Sequence, residues 1–211
     1  MSRRTFVRSA GSFLITRCAA QASHCPSIIC CSEIMKAKID SNPLFAGKTV
    51  ILRNFAEPAA QAIPSKKDYI LYFGRFSAEK RIRTLLRACS ELPEIPFVFA
   101  GSGPLEAEIR SVPNANCVGF QRGEALQKLI REAKFSICPS ECHENCPFSV
   151  IESLTLATPV LGSNMGGIPE LIQSGRTGEL FEGGNAEDLK RRIQKLWSDR
   201  QLIELYAGPA Q

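Results

Sequence analysis

From Asp68 onward, short apolar runs alternate with amphipathic stretches at loop lengths too small for any other architecture. The runs Tyr69 to Phe73, Phe97 to Ala100, Asn116 to Gly119, Phe135 to Cys138, Val160-Leu161 and Gly178 to Phe181 read as strands. Between them, Lys80 to Leu92, Leu105 to Val112, Gly123 to Ala133, Phe148 to Ala157 and Ile168 to Ser174 read as helices, and Ala186 to Leu205 closes the series as one more. Ile82, Leu85, Leu86 and Cys89 share one face of the first helix, and Leu126, Leu129, Ile130 and Ala133 share one face of the third. Parallel strands need a crossover and the crossover is right-handed, so the alternation predicts an α/β domain with a doubly wound parallel sheet, Rossmann-like, covered by helices on both faces.

Such a sheet binds ligands outside the carboxyl ends of its strands. Gly74-Arg75, Gly101-Ser102-Gly103, Gly119-Phe120, Pro139-Ser140 and Gly162-Ser163 all follow strands, which predicts that they line one edge. Gly101-Ser102-Gly103-Pro104 invites a dinucleotide reading, but the third glycine of G-x-G-x-x-G falls on Glu106, so the turn is read as structural. Gly74-Arg75 with Lys80 puts two cations at the mouth of the sheet, where they suit a diphosphate; the plain alternative is two solvated surface charges. The stretch Ser140 to Glu152 puts one carboxylate, Glu144, in a loop and a second, Glu152, on the following helix. Paired carboxylates accept hydrogen bonds from sugar or ribose hydroxyls, while an acid–base pair and a surface carboxylate are the competing readings.

Upstream, Ser27 to Cys31 and Thr49 to Leu52 read as strands, and Ser32 is placed to cap a short helix between them. Ala56 to Lys67, with Pro58 and Pro64, reads as a linker, which divides the chain into residues 1–65 and residues 66–211. Ser2-Arg3-Arg4 and Ala20-Gln21-Ala22 have the form of a twin-arginine export signal. Arg17 interrupts its apolar segment, so a helix leading into the first strand is preferred, with an organelle transit peptide left open.

The net charge of +5 contains +4 from Arg3, Arg4, Arg8 and Arg17, leaving +1 for everything else; no basic face for nucleic acid is expected. Nine cysteines, several of them in apolar runs (Cys30, Cys89, Cys117, Cys138), suit a reducing, cytoplasmic compartment without disulfides; a peripheral position at a membrane stays open. Cys142-His143 with Cys146, and His24, Cys25, Cys30 and Cys31, lack matched zinc hooks, and no metal is expected.

With those residues in place, Asp68 to Trp197 resembles the C-terminal, donor-binding domain of group-1 retaining GT-B glycosyltransferases. The family's E-x7-E motif looks like Glu144-Asn145-Cys146-Pro147-Phe148-Ser149-Val150-Ile151-Glu152, its diphosphate motif like Gly74-Arg75 with Lys80, and Gly166-Gly167-Ile168-Pro169-Glu170 continues the likeness. The resemblance implies that Arg75 and Lys80 hold the diphosphate of a nucleotide sugar and that Glu152 contacts the ribose. It implies that Glu144, the catalytic candidate, contacts the transferred sugar without acting as a nucleophile, since retention in the family is ascribed to a front-face route. Asn145, Cys146 and Phe148 would lie against the sugar, and Gly119 and Phe120 would flank the base. No cofactor or metal is implied, because two cations and helix amides neutralise the leaving diphosphate. The acceptor is an unknown saccharide, lipid or small molecule. Residues 1 to about 55 resemble only the last part of the family's acceptor domain, so two outcomes stay open: an enzyme, alone or with a separate N-terminal-domain chain, or a non-catalytic nucleotide-sugar-binding module.

Overall fold

The computed structural model describes residues 27–56, 65–141 and 144–207. The expected N-terminal helix or signal, most of the linker, and Cys142-His143 lie outside the described residues, as do His24 and Cys25. The chain divides into two compact units between Arg53 and Asn54.

In the smaller unit, β1 (Ile28–Cys30) pairs in parallel with β2 (Thr49–Ile51) through α1 (Glu33–Asp40). Ser32 caps α1 as its sequence position suggests, its hydroxyl accepting from the Met35 N–H at 3.3 Å. Lys36 donates to the Thr49 hydroxyl at 2.7 Å, and that hydroxyl donates to Asp40 at 2.6 Å, tying α1 to β2.

The larger unit contains β3 (Ile70–Arg75), α2 (Ile82–Ser90), β4 (Phe97–Ser102), α3 (Glu106–Arg110), β5 (Ala115–Gly119), α4 (Gly123–Glu132) and β6 (Phe135–Cys138). It continues through α5 (Phe148–Thr155), β7 (Val160–Ser163), β8 (Gly178–Phe181), α6 (Ala186–Ser198) and α7 (Arg200–Tyr206). Its six strands lie in the order β5-β4-β3-β6-β7-β8, every neighbouring pair parallel. Renumbered from β3, this is the doubly wound order 3-2-1-4-5-6, whose chain direction across the sheet reverses between β3 and β6.

Both faces of the sheet are covered. Along β3, Ile70 and Tyr72 pack into the cluster holding Phe97, Phe99, Leu85 and Ile193, while Leu71 and Phe73 pack with Ala100, Ile130 and Ala133. Alternate side chains therefore serve opposite cores, which is why this strand reads as a continuous apolar run. The expected face of α2 is confirmed: Ile82, Leu85, Leu86 and Cys89 are all buried. Cys30, Cys89 and Cys138 are buried free thiols, and Cys117 is a half-buried one. Among the described residues no helix is long and apolar enough to cross a membrane.

Three helix boundaries differ from expectation. Lys80 lies in a 3-10 turn, Ala78–Lys80, because Arg81 takes the left-handed conformation (φ 51°) and α2 starts only at Ile82. Ile168 to Ser174 is a 3-10 turn over Ile168–Glu170; Ile168 and Ile172 instead bury against Gly162, where a Cβ would lie 2.4 Å from Ile172. The long C-terminal helix is two, since Asp199 is extended (ψ 91°) and its carboxylate caps α7 by accepting from the Leu202 N–H at 2.9 Å.

Candidate functional site

The register of the sheet makes the site. β3 pairs with β4 over its whole length, Ile70 to Arg75, but with β6 only at Ile70↔Phe135 and Leu71↔Ser136. Beyond Leu71 the two strands part, and a cavity of about 640 Å³ opens between their carboxyl ends. This is the switch point of the sheet, where an open α/β fold leaves a crevice for ligand.

One wall is Gly74 and Arg75 at the end of β3, with Glu79 and Lys80 in the turn that follows. Close approach explains the glycines here. A Cβ on Gly101 would sit 1.9 Å from the Gly74 carbonyl oxygen, and one on Gly103 would sit 2.4 Å from that of Phe76. The Gly101-Ser102-Gly103 turn thus lets β4 run beside the Arg75 loop, the structural role read from the sequence. Phe76 donates its N–H to Ser102 at 2.9 Å and Leu105 donates to Phe76 at 3.1 Å, which closes that contact. The Tyr72 hydroxyl donates to the Arg75 carbonyl at 2.9 Å and holds the loop from below; burial pushes that hydroxyl well above its ordinary pKa.

The facing wall is the loop after β6 and the start of α5. Lys80 makes an ion pair with Glu144 across the cavity, and the Ser140 hydroxyl donates to the same carboxylate oxygen at 2.9 Å. Ser140 is held in turn by the Ser163 hydroxyl, which donates to its carbonyl. The Glu144 carbonyl accepts from the Gly167 N–H at 2.6 Å, so the glycine pair before Ile168 anchors the loop. Cys146, Pro147, Phe148 and Ser149 continue this wall. Cys138 lies at its base, where burial first and Glu144 second raise its thiol to about 11.

Glu152 faces the same cavity from α5 and also lines a second one of about 250 Å³, with Ala56, Leu126, Gln127 and Thr155. Burial raises its carboxyl above the usual carboxylate range. A hydroxyl-bearing group reaching from one cavity to the other passes this side chain.

Of the residues singled out in the sequence, Gly74, Arg75, Lys80, Glu144, Cys146, Phe148 and Glu152 come together around one cavity. Asn145 is exposed and off its wall. Gly119 and Phe120 stand on the same edge of the sheet but two strands away, at the end of β5, with Phe120 70% exposed. Sequence reasoning missed Glu79, the supporting role of Ser140, and Glu141. Glu141 binds the Thr84 hydroxyl at 3.0 Å and the Arg81 guanidinium at 3.1 Å, fastening the Glu144 loop to the start of α2. It missed Asn54 as well, whose side-chain amide donates to the Cys146 carbonyl at 3.0 Å. No local pattern marks any of these, because each partner is far away in sequence. Among the described residues no group of three or more His, Cys, Asp or Glu side chains is placed to hold a metal ion.

The pattern of the family described as glycosyl transferases group 1 matches residues 54–207. The sulfoquinovosyl transferase of Arabidopsis thaliana is 28% identical over 176 residues, covering 80% of this chain and 33% of that protein. S. aureus TarM, solved with fondaparinux, alpha-GlcNAc-glycerol and UDP, superposes with a TM-score of 0.79 at 19% identity, over 90% of this chain and 40% of its own. Anabaena HepE, solved with UDP, gives 0.77 at 18% identity, over 88% of this chain and 58% of its own. The chain thus spans about a third of the curated relative and about half of these structures, and its fold is that of GT-B glycosyltransferases.

Proposed function

The chain belongs to the group 1 glycosyl transferases, and we propose that the cavity between β3 and β6 binds a nucleoside diphosphate sugar as donor for transfer to an acceptor. The observation that carries this is the pairing of Lys80 with Glu144 across the crevice, beside Arg75 and in line with Glu152. Lys80 and Arg75 take the diphosphate and neutralise the charge that grows on it as the glycosidic bond breaks, the step at which fixed positive charge lowers a barrier most. Glu144, freed from Lys80 by the phosphate, accepts from hydroxyls of the transferred sugar while Ser140 keeps it oriented. Glu152, shared between the two cavities, accepts from the ribose, and the base extends toward Gln127 and the end of β5, where Gly119 and Phe120 flank it. The loop of Asn145 and Cys146 lies over the sugar.

Support for a uridine nucleotide comes from the UDP named with TarM and HepE. The two cations make a metal unnecessary, so UDP binding is expected to be the same with and without EDTA. The transferred sugar keeps its anomeric configuration, leaving and attacking from the face that Glu144 borders.

The test is a transfer assay on the full chain, with UDP-sugars and a panel of saccharide, lipid and small-molecule acceptors, and with the product's anomeric configuration read by NMR. Donor-dependent product of retained configuration, abolished in Lys80→Ala, is expected. Inverted product overturns the stereochemical part. Nucleotide binding with no product from any acceptor assigns this chain a donor-holding role, with the acceptor side supplied by a separate chain.

A further inference from the structure

We infer that Asn54 is a positioning residue for the loop that carries Glu144, so that the segment joining the two units sets the geometry of the site. The inference rests on the donor reading above for what the loop touches, though not for the contact itself.

Residues 144–147 have no ladder to hold them. The Glu144 carbonyl is fixed by the Gly167 N–H at 2.6 Å, and because a trans peptide is planar, the Asn145 N–H points the opposite way. The next anchoring point along the loop is the peptide between Cys146 and Pro147. Proline has no N–H, so this unit has one polar group, the Cys146 carbonyl, in a residue only 6% exposed. The Asn54 side-chain amide meets it at 3.0 Å from 92 residues away. Gly167 and Asn54 therefore pin the loop at its two ends, with the exposed Asn145 between them.

Asn54 is also the first residue of the larger unit. Two residues on, Ala56 lines the second cavity beside Glu152. The joining segment thus touches the carrier of one carboxylate and the neighbourhood of the other. Displacing it moves the Cys146 carbonyl, and with it the wall facing Lys80.

Three measurements test this on the full chain. Hydrogen exchange needs no ligand: Asn54→Ala and Asn54→Asp, which keeps the shape but loses the donor, should each raise exchange over residues 144–150 about tenfold while leaving the β4 peptide unchanged. Unchanged exchange in the loop overturns the inference whatever the ligand proves to be. Calorimetry with UDP and a UDP-sugar should show both variants losing about tenfold for the UDP-sugar and less than twofold for UDP, since the loop borders the sugar and Lys80 stays in place. Equal losses, or none, overturn it; failure of Lys80→Ala to weaken UDP would count instead against the donor reading. In the nitrogen-labelled wild-type chain, the Asn54 side-chain amide signal should shift with UDP-sugar and stay in place with UDP. A signal unmoved by both overturns the inference independently of how the variants fold.

Discussion

Replacing Glu144 with glutamine should tighten the binding of a nucleoside diphosphate and weaken that of the sugar-bearing donor. The ion pair with Lys80 is the reason for the first half: a diphosphate arriving at Lys80 meets a carboxylate already on the same ammonium. Two anions sharing one ammonium sit about 5 Å apart, and each pair of unit charges then repels by about 0.8 kcal/mol at the dielectric of water and about 3.3 kcal/mol at an effective value of 20. Lys80 is 31% exposed and Glu144 16%, so the site lies between these limits, and about 1.4 kcal/mol, or tenfold, is expected. Glutamine keeps the oxygen that accepts from Ser140, which separates the charge effect from a change in shape. Isothermal calorimetry with UDP at low salt reads the gain, and raising the salt should shrink it by screening. The donor loses an ionised acceptor for its hydroxyls, so its affinity should fall by a comparable factor. Unchanged or weaker UDP binding by Glu144→Gln at low salt would refute competition for Lys80.

Glu152 supplies a pH test. Its carboxyl titrates above the ordinary range because it is buried, so ribonucleotide binding should decline as pH falls through that raised value, and Glu152→Gln should flatten the profile. The effect on stability has the opposite sign: a raised folded pKa favours the folded state at low pH, and that contribution is lost as pH rises through it. Gly101→Ala should cost about 3 kcal/mol and lower Tm by roughly 6–12 °C, because the added Cβ would meet the Gly74 carbonyl at 1.9 Å; a melt within a degree of wild type would contradict the close approach. Glu179, only 6% exposed, accepts from Tyr206 at 2.8 Å, Lys195 at 2.9 Å and Arg192 at 3.0 Å. Glu179→Ala should cost about 3–5 kcal/mol in urea unfolding. Burial alone would raise this carboxyl, but its partners outweigh burial and hold it below the usual range, so its contribution is present at neutral pH and lost as pH falls through that lowered value.

The alternation of strands and helices was readable because each strand is buried on one or both faces and each helix on one. β6 and β8 match their expected spans for that reason. Arg75, Lys80, Glu144 and Glu152 were readable as a set because parallel strands deliver every following loop to one edge. What periodicity does not carry is which strands part. That β3 leaves β6 after Leu71, making the crevice, depends on pairings between segments more than sixty residues apart. The break at Asp199 was hidden because the residues on both sides are good helix formers and the capping contact is a matter of one side chain. The supports of Glu144 were hidden for a different reason: Glu141 to Thr84 and Asn54 to Cys146 are single polar contacts across long sequence separations, with no repeat to betray them.

The central claim is that the β3–β6 crevice holds a nucleotide through its diphosphate, and calorimetric titration of the full chain with UDP and UMP tests it most directly. One UDP per chain, bound at least about tenfold more tightly than UMP and lost on Lys80→Ala, is the predicted result, since a charge-assisted contact to phosphate contributes about 1.5–3 kcal/mol. No heat with UDP, GDP or ADP, or equal affinities for UDP and UMP that Lys80→Ala leaves untouched, would contradict it.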